Sequence, residues 1–342
     1  MGGRRAMMLG IEDRTRWSIA AVAFYAVYAK LRTTVRKRAE RAGTRIGPLW
    51  MGKMACWMME SYSNLVGVRL ASEGGVGLSL IDRETRYLLV WHPHGFIAWT
   101  PTFLVGKMAI TGHPIGREWY GMIAPALFNL PVFSEALMLL NGRGVGKEVV
   151  ESILGKGKAT INIQPGGIKE QMITRHDQEQ AVFPANLGFI RMAIKYGMPI
   201  LPVYIFNENS LFKRVDGFEG LTKFVYKTTG FGMPFITGKF GLPMSGLLPR
   251  ATDVHVRWGE PLQVGPVEQD PSDERVEEVF CEYLLRLRTL FYTHAYECLP
   301  SKVAERGLVI IRLDGKPVPP LSADLEAMWE SKATKQTARS RL

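Results

Sequence analysis

The sequence predicts an α/β protein with a mainly parallel central sheet flanked by helices. Short apolar segments, typical of buried strands, alternate along the chain with longer segments whose apolar residues recur at helical spacing. This alternation favours a parallel sheet and places function at the carboxyl ends of the strands. The length of 342 residues is sufficient for one such domain with extensions at both ends.

Each predicted element has its own local pattern. The predicted strands are residues 86–91 (RYLLVW), 159–163 (ATINI), 199–206 (PILPVYIF) and 253–258 (DVHVRW). Residues 186–197 (NLGFIRMAIKYG) place Leu187, Ile190 and Ile194 at helical spacing and end on Gly197, a residue type that often terminates helices. A further helix is predicted for KEVVESIL, residues 147–154.

The net charge of +11 is concentrated at the N-terminus. Residues 1–45 contain eleven Lys and Arg against three Asp and Glu, and these charges flank the apolar run WSIAAVAFYAVYA, residues 17–29. A nucleic-acid-binding protein distributes its basic residues over a folded face. We therefore expect no nucleic-acid partner. Basic residues on both sides of an apolar run are instead typical of a membrane-surface anchor.

Residues 1–72 are predicted to form this basic membrane-anchoring segment. The run 17–29 is shorter than the ~20 residues that a spanning helix needs, which favours interfacial or hairpin insertion. Its predicted partner is the Trp- and Met-rich stretch 48–68, with the basic residues 35–41 lying between the two helices and facing a negative lipid surface. The alternative is an amphipathic helix packed on its own domain. Residues 73–300 are assigned to the α/β domain and 301–342 to a C-terminal extension.

The strand at 86–91 leads directly into two histidines, in the sequence YLLVWHPHGF. Residues i and i+2 of a strand share a face, so His92 and His94 are expected to converge if strand geometry continues through Pro93. Gly95 then permits a sharp turn. The favoured interpretation is a general base, since neutral imidazole accepts a proton near working pH.

Three other interpretations of these histidines are possible. In the first, the two side chains have a structural role only and satisfy polar groups at the end of the strand. A metal pair needs a third ligand, and the sequence offers no HxxE, HxxxH or nearby Cys, so no metal is expected. Serine hydrolase chemistry is disfavoured because G-x-S-x-G is absent from the sequence.

A second motif, INIQPGGIKE, also combines a strand with a rigid turn. Its two glycines, Gly166 and Gly167, can present backbone N–H groups to an oxyanion or a phosphate. Glu170 is expected in the first turn of a helix, directed towards the end of the neighbouring strand. If that strand carries HPHG, the carboxylate would orient a histidine. The alternative is a simple tight turn.

These motifs together resemble the type-2 diacylglycerol acyltransferases and their relatives, which include monoacylglycerol and wax-ester-forming enzymes and a plant-type lysophospholipid acyltransferase. HPHG precedes PGG-x-x-E and then LGFIRMAIKYGMPILPVYIFNEN. The resemblance continues through FGLPMSGLLPR, VRWGEPL and a closing helix with Tyr283 and His294, and it covers residues 87–294.

The resemblance implies an acyltransferase domain that moves a fatty acyl group from acyl-CoA to a lipid hydroxyl of an acylglycerol, a lysophospholipid or a long-chain alcohol. His94 is then the preferred catalytic base, with His92 shaping the turn and Glu170 as its partner. Gly95 and the Gly166–Gly167 pair are implied to stabilise the oxyanion. Acyl-CoA is a substrate, and no cofactor is expected. Glu170→Gln is expected to reduce acyl transfer strongly while the protein still folds.

The sequence departs from the family where basic residues usually precede the Gly-Phe pair, because residues 185–187 read Ala-Asn-Leu. Four other residues are candidates for contacting the CoA phosphates: Arg143, Lys147, Lys169 and Arg175. The departures keep open an alternative function, a non-catalytic lipid-binding or scaffolding subunit of a larger membrane complex. The expected location is the endoplasmic reticulum membrane, with a mitochondrial membrane as the alternative.

Overall fold

The protein is described by a computed structural model. It covers residues 2–42, 46–72, 82, 84–111, 118–130, 132–157, 159–230, 232–243 and 248–339, without the side chains of residues 2–16, 39–42, 72, 111 and 335–339. The domain boundary predicted at residue 73 lies outside these ranges.

The strands lie mainly in one sheet of seven, in the order β1-β10-β7-β2-β5-β3-β4. The described strands are β1 (Val68–Ser72), β2 (Leu88–His92), β3 (Glu118–Ile123), β4 (Gly142–Gly144), β5 (Ala159–Ile163), β6 (Glu179–Phe183), β7 (Ile200–Phe206), β8 (Lys213–Arg214), β9 (Ile236–Thr237), β10 (Thr252–Trp258) and β11 (Leu308–Arg312). Neighbouring strands of this sheet are parallel except β10 and β7. The prediction of an α/β fold with a mainly parallel sheet is confirmed, and the four predicted strands correspond to β2, β5, β7 and β10.

Helices cover both faces of this sheet. They are α1 (Gly2–Ala42), α2 (Leu49–Val66), α3 (Trp99–Thr111), α4 (Phe133–Leu139), α5 (Lys147–Leu154), α6 (Gly167–Ile173), α7 (Gly188–Tyr196), α8 (Glu219–Thr229), α9 (Asp273–Cys298), α10 (Ser301–Ala304) and α11 (Ala323–Arg339). Helix α7 ends where the sequence indicated, since Gly197 adopts a left-handed conformation with φ +57°. The helix predicted at 147–154 is α5.

Alternating residues of the central strands separate two hydrophobic cores. Leu88 and Val90 of β2 face a core that includes Phe280 of α9, whereas Leu89 and Trp91 face a core that includes Leu104 of α3. All of β2 and β7 is buried, which is the burial expected of a parallel sheet covered on both faces. The sheet therefore holds the ends of these strands rigidly.

The N-terminal segment differs in part from the prediction. The basic stretch 35–41 does not connect two helices, because α1 continues through Ala42 as one helix. Within the part of the chain that the structure describes, no helix has both the length and the apolar composition needed to cross a membrane. Helix α1 is held to the domain by Arg36 and Arg32, whose guanidinium groups both donate to the carbonyl of Phe128.

The C-terminal residues pack on the domain. Strand β11 pairs in parallel with β6, and Arg312 at its end forms an ion pair with Glu277 of α9. Helix α11 follows, and its Trp329 contacts Tyr292 of α9 with the ring centroids 5.2 Å apart. Through these contacts the C-terminal segment supports β6, the strand that lies beside the candidate site.

Candidate active site

Two neighbouring parallel strands deliver the predicted motifs to the same edge of the sheet. Strand β2 ends at His92 and continues into the HPHG turn, and the adjacent β5 ends at Ile163, just before the PGG turn and α6. Parallel strands end on one side, so the two turns meet there. The predicted adjacency of HPHG and PGG-x-x-E is therefore observed.

His92 is completely buried. Its Nε2 lies 2.9 Å from the hydroxyl of Tyr283 on α9, and its ring packs edge-on against Phe183. Desolvation lowers its pKa to about 3, so the imidazole is neutral at physiological pH. His92 therefore anchors the end of β2 to α9.

His94 occupies a different environment, so the expected convergence of the two histidines is not observed. Strand β2 ends at His92, and the alternation of a strand does not continue through Pro93. The His94 side chain is half-buried, and its Nδ1 lies 3.2 Å from the carbonyl oxygen of Gly95. A carbonyl only accepts hydrogen bonds, so this contact requires the proton on Nδ1 and leaves the Nε2 lone pair available. Burial also lowers the pKa of His94 and favours the neutral ring.

Glu170 meets His94 through the backbone. Its Oε1 accepts a hydrogen bond of 2.8 Å from the His94 N–H, and its Oε2 accepts one of 3.4 Å from the N–H of Val182 in β6. The sequence predicts a contact between this carboxylate and an imidazole, which is not observed. Because α6 is directed at the start of the HPHG turn, the carboxylate instead fixes the main chain that carries His94.

Glu170 belongs to a set of buried carboxyl groups. Burial raises the pKa of Glu170 to about 8 and those of Glu179 and Glu208 to about 7. Glu179 accepts a hydrogen bond of 2.8 Å from the hydroxyl of Tyr204, and Glu208 accepts from the backbone N–H and the hydroxyl of Thr100. Such perturbed carboxyl groups are typical of functional sites.

Glu179 and Glu208 are not among the residues that the sequence motifs indicate. Glu208 was detectable in principle, because it lies two residues beyond the end of β7, the strand next to β2. Glu179 begins β6, a strand that the sequence analysis did not predict.

The glycines of both turns make room for carboxylates. A Cβ on Gly166 would lie 2.0 Å from Oε2 of Glu170, and a Cβ on Gly95 would lie 2.8 Å from Cγ of Glu208. Gly95 also has φ +66°, a conformation that favours glycine. The Gly167 N–H donates to the carbonyl of Gln164 at 3.2 Å, whereas the N–H groups of Gly95 and Gly166 have no hydrogen-bond partner within the described residues.

The four candidates for phosphate contact lie in different environments. The predicted phosphate contact of Arg143 does not agree with the structure, because this side chain is completely buried. Its guanidinium donates to the carbonyl of Gly142 and the side chain of Asn141 and stacks over Tyr120. A surface phosphate does not reach it in this arrangement. The other three candidates, Lys147, Lys169 and Arg175, are exposed, and Arg175 pairs with Asp177 at 3.4 Å.

Comparison with known proteins identifies the class to which this fold and site belong. A family model described as diacylglycerol acyltransferase matches residues 15–303. The protein is thus an acyltransferase, an enzyme whose two sequence motifs meet at one edge of the sheet. It belongs to the diacylglycerol acyltransferase family.

Individual relatives agree with this assignment. The chain is 29% identical over 240 residues to diacylglycerol O-acyltransferase 1 of Schizosaccharomyces pombe, covering 67% of this chain and 68% of the relative. It is 28% identical to diacylglycerol O-acyltransferase 2B of Umbelopsis ramanniana, covering 75% and 74%. It is 29% identical to 2-acylglycerol O-acyltransferase 1 of Bos taurus, covering 63% and 67%. These comparisons give the scaffolding alternative no support.

A search of solved structures found the 1-acyl-sn-glycerophosphate acyltransferase PlsC of Thermotoga maritima. The two chains share 15% sequence identity with a TM-score of 0.42, and the match covers 85% of this chain and 97% of that one.

Proposed function

We propose that the protein transfers a fatty acyl group from acyl-CoA to the free hydroxyl of an acylglycerol, with His94 as general base. The observation that carries the proposal is the hydrogen bond between His94 Nδ1 and the Gly95 carbonyl, which leaves Nε2 as the proton acceptor. The names of the relatives, diacylglycerol and 2-acylglycerol acyltransferases, support an acylglycerol as acceptor. Lysophospholipids and long-chain alcohols remain the other acceptors to test.

In the proposed reaction, Nε2 of His94 removes the proton of the acceptor hydroxyl as its oxygen attacks the thioester carbonyl. The tetrahedral intermediate carries an oxyanion, for which the N–H groups of Gly95 and Gly166 are the proposed donors. The C–S bond then breaks, and the departing CoA thiolate takes the proton from the imidazolium. The products are one ester and one CoA thiol, so the base returns to its neutral form.

The remaining basic candidates are proposed to bind the CoA phosphates. Lys169 follows the PGG turn on α6, and Lys147 begins α5 directly after β4, so both side chains are exposed near the edge of the sheet that carries the site. Arg143 is not part of this proposal, because its side chain is buried. Charge reversal at Lys169 should raise KM for acyl-CoA with a smaller effect on kcat.

Membrane attachment through the N-terminal segment is part of the proposal. Helix α1 exposes Trp17, Phe24 and Leu31 at seven-residue intervals, and α2 exposes Trp50 and Trp57 in the same spacing. This spacing repeats one helix face, and exposed aromatic faces beside basic residues are typical of interfacial helices. The endoplasmic reticulum membrane is the proposed location, with a mitochondrial membrane as the alternative, and imaging of the tagged full-length protein tests this choice.

The test of the activity is acyl transfer by detergent-solubilised protein from labelled oleoyl-CoA to diacylglycerol, monoacylglycerol, long-chain alcohol and lysophospholipid. His94→Ala and His94→Gln should both lose at least about a hundredfold in kcat, the scale of general base catalysis. Folding of each variant is checked by its thermal midpoint. Near-normal turnover by a folded His94 variant would refute the role of this base.

The pH profile gives a second test. Only neutral His94 accepts a proton, and burial lowers its pKa below the ordinary 6.5. The value of kcat/KM should therefore fall on the acid side with an apparent pKa below 6.5. An apparent pKa above 6.5 on the acid side of the kcat/KM profile would show that another group is the base.

A further inference from the structure

The segment between β7 and β10, residues 207–251, forms a lobe with an unusual surface. Within its described part, the short strands β8 and β9 pair with each other, and α8 follows β8. Among the described residues of this lobe, six large apolar side chains are exposed: Phe218, Leu221, Phe224, Val225, Phe240 and Leu242. Of these, Phe240 is 82% exposed and Phe224 is 63% exposed, so their rings stand in solvent.

Helix α8 has little support from the rest of the protein. Among its eleven residues only Thr222 is buried. Isolated helices of this length are marginal in water, and most helices are stabilised by packing an apolar face. In α8, Leu221, Phe224 and Val225 lie on one face at i, i+3 and i+4, and Lys223 projects on the opposite face. The helix thus has an apolar face that the described protein leaves uncovered.

The charge of the lobe is positive where it is exposed. The sequence 207–251 contains six Lys and Arg and three Asp and Glu, and of the acidic residues Glu208 is buried. Arg214 forms ion pairs with the other two, Asp216 and Glu219. The remaining basic residues are Lys213, Lys223, Lys227, Lys239 and Arg250, and all of these except Lys239 are exposed.

The lobe borders the candidate active site. Near its start lies Glu208, whose Cγ would be 2.8 Å from a Cβ on Gly95. Its far side packs against α6, because Arg214 donates to the carbonyl of Met172 and a Cβ on Gly232 would lie 2.3 Å from Ile168. The lobe therefore contacts both the HPHG turn and the helix that follows the PGG turn.

We propose that the exposed face of this lobe, formed by α8 and the Phe240 turn, is a second membrane-contact surface that binds an anionic bilayer independently of residues 1–72. The rings of Phe224 and Phe240 insert at the level of the acyl chains, and Lys227 and the other exposed basic residues of the lobe, apart from Lys223, contact anionic headgroups. A helix with one apolar face and Lys on its polar side has the composition of an interfacial helix. A bilayer fits this surface better than a second copy of the chain, because a self-complementary interface would bring the unopposed Lys residues of two lobes together.

The experiment places an environment-sensitive fluorophore on the lobe of the full-length protein. Cys281, which is partly exposed, is replaced by Ser, while Cys56 and Cys298 are buried. Phe224→Cys and Phe240→Cys carry the label, and Lys223→Cys is the matched control on the opposite face of α8. Each labelled protein is bound to phosphatidylcholine vesicles, with or without phosphatidylserine, that contain a nitroxide-labelled acyl chain.

The nitroxide should quench the labels at positions 224 and 240 about twofold or more relative to position 223, as expected for insertion to acyl-chain depth. Omitting phosphatidylserine should weaken that quenching. Because the N-terminal segment also binds vesicles, protein that is vesicle-bound but unquenched at 224 and 240 would overturn the proposal. Self-quenching that is relieved by dilution with unlabelled protein would place a second copy there and overturn it as well.

This readout requires no enzyme activity, so it stands or falls separately from the proposed reaction. A second experiment measures enzyme activity, and its interpretation rests on the proposed function. Phe224→Glu combined with Phe240→Glu should lower acyl transfer to vesicle-embedded acceptor about a hundredfold, since the loss of each large apolar side chain from the bilayer accounts for about tenfold or more. Activity on detergent-dispersed acceptor should stay unchanged, and equal losses in both assays would contradict a membrane role.

Discussion

The carboxylate of Glu170 binds the backbone N–H of His94 at 2.8 Å, although 76 residues separate them in the chain. Glu170 therefore determines where the HPHG turn lies, and the carbonyl of Gly95 determines which nitrogen of the His94 ring carries the proton. The two tasks that a carboxylate performs in a catalytic triad are thus divided between a side chain and a main-chain group.

This division changes the expected effect of substitutions at Glu170. Glu170→Gln keeps one oxygen to accept from the His94 N–H and resembles the protonated acid that a pKa of about 8 favours. We expect it to lose less than about tenfold in kcat, whereas Glu170→Ala should lose far more and cost ~1–3 kcal/mol of stability through an unpaired buried N–H. Kinetics and thermal unfolding of both variants measure the difference. Equal, severe loss in both variants with unchanged stability would favour direct chemistry by the carboxylate.

Gly166→Ala should displace Glu170 without altering any polar group. The new Cβ would lie 2.0 Å from Oε2 and 2.5 Å from Cβ of Glu170, so this side chain must shift, and the contact of its Oε1 with the His94 N–H is disturbed. We expect a fall in kcat of about tenfold or more, since small misplacements of a catalytic group are costly. Gly146→Ala is the matched control, because its Cβ meets nothing within 4 Å and its φ of −64° suits alanine. Similar activity in both variants would show that the position of Glu170 is unimportant.

The buried contact between Tyr283 and His92 should stabilise the fold. Tyr283→Phe removes the hydroxyl that lies 2.9 Å from His92 Nε2, and an unsatisfied buried group costs ~1–3 kcal/mol. Combining it with His92→Phe removes both polar partners, so the double variant should lose less stability than the sum of the single variants. Denaturant unfolding of the four proteins completes this cycle, and strictly additive losses would argue against the hydrogen bond.

The buried carboxyl of Glu179 should make stability depend on pH. Folding raises its pKa from 4.5 to about 7, so the folded state retains the proton more tightly than the unfolded state. The contribution of Glu179 to the free energy of unfolding is complete below pH 4.5. It declines by about 1.4 kcal/mol per pH unit as the pH rises to about 7. Glu179→Gln cannot titrate and should lose less stability over that range. Unfolding curves recorded at several pH values test this, and parallel profiles for the two proteins would disprove it.

Local patterns were sufficient to predict part of the molecule. The four predicted strands, the helix ending at Gly197 and the placement of Glu170 in the first turn of a helix depend on periodicity and on residues that restrict the backbone. The pairing of HPHG with PGG-x-x-E required one further rule, that adjacent parallel strands end on the same side. Strands β6 and β11 escaped prediction because a five-residue strand is identified mainly by its partner, and these two are separated by 124 residues.

The contacts of individual side chains needed the tertiary structure. Arg143 appeared in the sequence as an available cation in a glycine-rich turn, yet β3 and β4 enclose it beside Tyr120. Likewise, spacing within a strand predicted that His92 and His94 point the same way, but the strand ends between them. Burial depends on elements distant in the chain, and local periodicity carries no information about them.

The sequence by itself determined the fold class, the two motifs and the edge of the sheet where they meet, because these follow from short-range backbone preferences and the pattern of apolar residues. Only the tertiary structure decided which atom of His94 is held by Glu170, which ring nitrogen is available, and which carboxyl groups are buried. Hydrogen-bond geometry is set to within tenths of an ångström by packing from α6, β6 and α9 together, and desolvation acts only once those elements have closed around the site.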